Sequence, residues 1–183
     1  MIDDQNFHDR TVVVIAAAKC HHGDVEEPRI DNVVAAWREE GQWNAVALPV
    51  HAADTMENLL HALRQFPGEG GVFGFVLVRD EFFLIMRVQG QHVRAMVSDS
   101  MAVVEWPIAE EAMDVADVPW VEVELTEFEP LGDLAIIADL GCSPDDLVMT
   151  CTDEDAYPDE QLRRIADQIG LGAGMKRSLA DAR

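Results

Sequence analysis

Three apolar segments, Val72 to Val78, Phe82 to Val88 and Val93 to Val97, follow one another with only Arg79-Asp80-Glu81 and Gln89-Gly90-Gln91 as breaks. Breaks that short join antiparallel neighbours and leave no room for a crossover helix. In the second segment Phe82, Leu84, Met86 and Val88 alternate with Phe83, Ile85 and Arg87. One face of that strand is wholly apolar, and the other turns polar at its end. Upstream, Val33 to Trp37 and Trp43 to Leu48 flank Arg38-Glu39-Glu40-Gly41-Gln42, a hairpin pattern with a polar, Gly-containing loop. Asp54 with Glu57 three residues on is a helix-start signal, and Met56, Leu59, Leu60 and Leu63 follow at helical spacing until Pro67-Gly68. The expected fold is α+β: an antiparallel sheet of about five strands in the order β-β-α-β-β-β, with one helix packed across it and a mainly helical, acidic C-terminal part.

The charge is distributed as unevenly as the pattern. The 183 residues carry 35 Asp+Glu against 13 Lys+Arg, a formal net charge of −22. Between Arg94 and Arg163 there are 19 acids and no Lys or Arg, so the other 16 acids face all 13 bases elsewhere. The chain divides electrostatically near residue 98. Four stretches follow from this: residues 1–30 as a poorly ordered leader or one extra strand, 31–98 as the sheet with its helix, 99–170 as an acidic helical part on the same core, and 171–183 as a loose tail. Within the acidic part, helices are expected over Ser100 to Val104, Ile108 to Val115 behind Pro107, Leu131 to Leu140, Ser143 to Cys151 with Ser143 as cap, and Pro158 to Ile169. Val118 to Phe128 reads as an acidic strand or an extended connection. A charge of this sign excludes a generic phosphate-backbone binder, which needs a basic footprint to displace counterions.

No string identifies a reaction. Cys20, Cys142 and Cys151 are odd in number and form no close pair, against both a disulfide framework and a zinc clip. Cys20-His21-His22 has no second cluster to close a tetrahedral site and reads as a solvated loop. Asp153, Asp155 and Tyr157 superficially resemble a calcium loop, but Pro158 stands where the turn glycine is required. Gly68, Gly70, Gly71 and Gly74 fail as a dinucleotide fingerprint because Phe73 replaces the third glycine, leaving a helix-to-strand connection. His51 and His61 flank the helix start near Glu57 without a nucleophile. No catalytic residue, cofactor or metal is therefore assigned. The apolar run Thr11 to Ala18 lacks a basic lead-in, and no run reaches the roughly 18 residues of a membrane span. The chain reads as soluble and cytoplasmic.

Several strings taken together resemble one family. Phe82-Phe83-Leu84-Ile85-Met86-Arg87-Val88, Val93 to Val97 followed by Ser98-Asp99, Glu105-Trp106-Pro107, Pro130-Leu131-Gly132-Asp133-Leu134, Ala138-Asp139-Leu140-Gly141 and Tyr157-Pro158-Asp159-Glu160-Gln161-Leu162 occur in this order. This resembles the bacterial tRNA adenosine deaminase-associated protein family over Val33 to Gly170, with Met1 to Asn32 extending beyond the usual family start. The resemblance implies association, chiefly through gene neighbourhood, with the deaminase that makes inosine in tRNA; it carries no catalytic residue. The deaminase's own zinc signature, H-x-E with P-C-x-x-C, is absent: Ala52-Ala53 follows His51, and Val93-Arg94 follows His92.

The expected function is that of a non-catalytic accessory or regulatory protein presenting its acidic surface to a protein partner, the deaminase being the candidate. A tRNA-binding enzyme needs basic surface, and an opposed acidic surface steers encounter. Trp106, Glu110, Glu111 and Asp114 are the candidate interface. Two alternatives stand beside it: a small-molecule-binding protein or enzyme of unknown activity, and a homodimeric structural or interaction protein. Direct nucleic-acid binding and a membrane partner are not expected.

Overall fold

The computed structural model describes residues 30–181, apart from 69, 79, 123, 124 and 127. The expected leader and its Cys20-His21-His22 string lie outside the described residues. The strands are β1 (Asn32–Glu39), β2 (Gln42–Leu48), β3 (Val72–Val78), β4 (Phe82–Gln89), β5 (His92–Val97) and β6 (Leu131–Gly132). The helices are α1 (Met56–Leu63), α2 (Ala102–Glu105), α3 (Pro107–Val115), α4 (Pro144–Cys151), α5 (Pro158–Gln168) and α6 (Gly172–Asp181). All neighbouring strands run antiparallel, in the order β2-β1-β3-β4-β5-β6. The α+β class and the helical C-terminal part are as expected; the sheet has six strands, since Leu131–Gly132 pairs with β5 where a helix was read.

The hairpin loop is tighter than its sequence indicated. Glu40 and Gly41 alone turn the chain, with φ of 50° and 79°, and both flanking strands extend to the turn. Two residues with positive φ match the right-handed twist of the strands they join. α1 begins one residue later than the Asp54 signal implies. Asp54 ends a short 3-10 turn, Val50–Ala53, in helical conformation, whereas Thr55 is extended and its hydroxyl accepts the Asn58 N–H at 3.2 Å. Only an extended residue can turn its side chain back onto the first free amides.

Every residue of β3 is buried, and so is every residue of β4 except Gln89. A strand apolar on both sides requires cover on both. On one face Val76, Leu84, Met86 and Ala95 pack with α1, α2 and α3; on the other Phe75, Phe83, Ile85 and Met96 pack with α4 and α5 and with Met175 of α6. The acidic part is thus divided between two cores separated by the sheet. The last helix corrects a further expectation: residues read as a tail form α6, whose Met175 and Ser178 are buried. Leu131 to Leu140 leaves β6 through turns into a single 3-10 turn, Ala138–Leu140, because Asp133 and Asp139 are held by the sheet.

Candidate functional site

The four residues singled out by sequence do not play one role. Trp106 is half-buried, its ring centroid 5.9 Å from that of Phe82, so it anchors the α2–α3 corner to the sheet. Glu111 reaches across to α1, where its Oε2 accepts the Met56 N–H at 2.8 Å. That carboxylate satisfies a free amide at the positive end of a helix, a structural task. Glu110 and Asp114 are exposed on α3. Of the four, these two are the freely presented charges.

A second acidic feature comes from segments far apart in sequence. A cleft of about 360 Å³ opens where the β3–β4 turn, the chain after β5 and the α4–α5 connection meet. Asp80, Glu81, Asp99, Glu154 and Asp155 line it beside Phe128 and Tyr157. The two aromatic side chains are 47% and 62% exposed, high for residues of that size. Its inner wall is ordered: buried Gln161 donates from Nε2 to the carbonyls of Cys151 and Asp153, both at 3.2 Å, and Ser98 Oγ accepts the Phe83 N–H at 2.9 Å. Asp99 accepts from the Met101 and Phe128 amides at 2.9 and 3.2 Å, which fixes the Phe128 turn at the rim. Carboxylates beside aromatic faces suit a cationic side chain, held by charge and by the ring quadrupole. Sequence reasoning missed this grouping. Its only local trace is the Asp153-x-Asp155-x-Tyr157 string, two of whose members line the cleft.

Other chemistry finds little support in the geometry. Burial, together with nearby Cys142, pushes the Cys151 thiol up to about 12, so it is a neutral core group and not a nucleophile. Asp153 accepts from Arg164 at 2.5 Å and from the Asp155 amide, a turn leading into α5. Among the described residues no three His, Cys, Asp or Glu side chains gather as a metal site, and no helix is long and apolar enough to cross a membrane. His51 and His61 are both exposed.

Comparison with known proteins settles the family. The sequence model of the Rv3753c-like tRNA adenosine deaminase-associated protein family matches residues 31–172, the described sheet and its helical layers. The chain belongs to that family. Protein Rv3753c of Mycobacterium tuberculosis (strain ATCC 25618 / H37Rv) is 34% identical over 140 residues, which is 75% of this chain and 81% of the relative. No solved structure matches. For the deaminase-associated family, the matched range begins at β1 and ends within the first turn of α6, so both cores belong to it.

Proposed function

We propose that this family member is a non-catalytic accessory or regulatory protein that binds tRNA adenosine deaminase through its acidic surface. The observation that carries the reading is the run of 19 acids without a base between Arg94 and Arg163, with Glu110 and Asp114 exposed on one side and the five-carboxylate cleft at the end of the sheet. A basic tRNA path on the partner would meet this field at long range, giving fast and oriented encounter. Occupying such a path competes with tRNA, so regulation follows from the same contact.

Kinetic binding to the deaminase at two ionic strengths tests it. The Debye length shrinks from about 30 Å at 0.01 M to about 8 Å at 0.15 M, so association slows across that range. Glu110→Lys with Asp114→Lys lowers the association rate several-fold at low salt and leaves the dissociation rate nearly unchanged. Glu111 is left alone because its loss frees the Met56 amide and perturbs α1. Absence of association at low salt removes the deaminase as direct partner; salt-independent association removes the electrostatic mechanism. The alternative of a small-molecule binder rests on the cleft, and a metabolite copurifying with the chain and lost in Tyr157→Ala favours it.

A further inference from the structure

The two edges of the sheet are built differently. At one edge β6 has only two residues, and Asp133 just beyond it donates its amide to Ala95 O at 2.9 Å while its carboxylate pairs with Arg94. A two-residue strand closed by an ion pair is a terminated edge. At the other edge β2 runs for seven residues, Gln42-Trp43-Asn44-Ala45-Val46-Ala47-Leu48. It contains no charged residue, no proline and no glycine, the devices that normally stop strand from adding to strand.

Register identifies the groups left open. The two-residue turn makes Glu39 and Gln42 a hydrogen-bonded pair, and alternation then turns Asn44, Val46 and Leu48 toward β1. The amides and carbonyls of Trp43, Ala45 and Ala47 therefore face outward. No turn, loop or side-chain hydrogen bond among the described residues reaches them. The strand is nonetheless fixed from behind: Trp43 Nε1 donates to Ile169 O at 2.9 Å, its ring lies 5.7 Å from that of Phe73, and Gly174 of α6 lies against Ala45. An ordered strand with an open ladder is prepared for a partner.

We propose that β2 is the interface between two copies of this chain, paired antiparallel about a two-fold axis through Ala45 so that the two sheets become one. In that register Ala45 meets Ala45, Trp43 meets Ala47, Asn44 meets Val46 and Gln42 meets Leu48. The largest side chain of the strand, Trp43, falls opposite the small Ala47, and about six backbone hydrogen bonds close the open groups. Charge favours this edge over the rest of the surface for a second copy. Two chains of net charge −22 repel one another, and they do so least where the contacting strand itself carries no charge. Glu39 and Glu40, the acids nearest the strand, sit at the turn and fall at opposite ends of the pair. The proposal does not rest on the deaminase reading.

Sedimentation equilibrium of the full chain at micromolar concentration tests it, with twice the 20.3 kDa chain mass expected. A mass of one chain overturns it. Ala45→Pro removes an amide that points outward and leaves the β1 ladder intact, so a folded, monomeric variant is expected; a folded variant that stays dimeric overturns the interface. Should Ala45→Pro not fold, Val46→Lys decides in the same way, because the side chain is 37% exposed and lies diagonal to its own copy across the axis. Hydrogen exchange adds a last arm. Amides of Trp43, Ala45 and Ala47 that are slow to exchange in the dimer and fast in the variants support the pairing; slow exchange in a wild-type monomer puts another part of the same chain on the edge and overturns it.

Discussion

Arg87 shows what a single charged residue can do inside an apolar face. A guanidinium has five N–H groups, and here all are used: Nε and Nη2 donate to Gly70 O, Nη1 to Ile136 O, and Nη1 and Nη2 to the two Asp139 oxygens at 2.6 and 2.8 Å. Its carbon lies 4.8 Å from the Phe73 ring centroid. One side chain thus ties the α1–β3 connection and the turn after β6 to β4. Lysine offers three donors without the planar fork, so Arg87→Lys should lose about 2–4 kcal/mol by leaving the buried Ile136 carbonyl unmet and breaking the two-pronged contact with Asp139, while Gly70 O keeps its hydrogen bond from Gln89. A lowered denaturant midpoint at unchanged slope is the expected result. The paired acids add a pH dependence. The hydrogen bond from Arg87 holds Asp139 below the ordinary aspartate value of 3.8, and that from Arg94 does the same for Asp133. A carboxylate that is more acidic when folded stabilises the fold above its unfolded pKa, and that contribution is lost as pH falls through the folded one. Unfolding free energy should therefore drop below about pH 4, and Asp133→Asn with Asp139→Asn should flatten that limb.

Among the elements, β6 depends most on a residue that contributes no side chain. Gly132 has φ of 113°, and a Cβ there would stand 2.4 Å from Ala95 O. Both the conformation and the clash are with backbone, which cannot move aside. Gly132→Ala should cost at least about 2 kcal/mol and release β6 from β5, whereas Gly141→Ala, also at positive φ but in open space, should cost about 1 kcal/mol. Thermal unfolding of the two variants separates them. α4 is the contrasting case of an element specified locally. Ser143 and Asp146 exchange hydrogen bonds as a capping box with Pro144 at the first helical position, all legible from four adjacent residues.

At the scale of the molecule, one sheet separates two apolar cores, and the acidic run contributes to both through α2 and α3 on one side and α4 and α5 on the other. The carboxylates are consequently spread around the molecule and repel one another across it. Added salt should raise the melting temperature from low ionic strength to about 0.15 M, since exposed like charges are screened while the cores are unaffected. A melting temperature indifferent to salt in that range would show that the exposed acids stand too far apart for their mutual repulsion to weigh on the fold.

The antiparallel meander, the first hairpin, the capped helix α4 and the helix α5 between Pro158 and Gly170 were legible in the sequence because each rests on neighbours within a few residues: alternation, turn length, a cap, a proline start, a glycine stop. The continuous apolar runs of β3 and β4 also carried a signal for cover on both faces, weakened by Arg87, whose charge reads as a solvent position until its partners 17 to 52 residues away are known. Strand β6 and helix α6 could not be read locally. One is two residues long and exists only through pairing with β5, and the other is rich in glycine and is held by packing against β2 and α5. The charge asymmetry belongs to the sequence alone. Which acids are free was decided by the tertiary structure, because Glu111 meets an amide 55 residues away while the cleft collects carboxylates from three separate turns. Such contacts depend on which segments the sheet brings together, and composition and spacing contain no record of that distance.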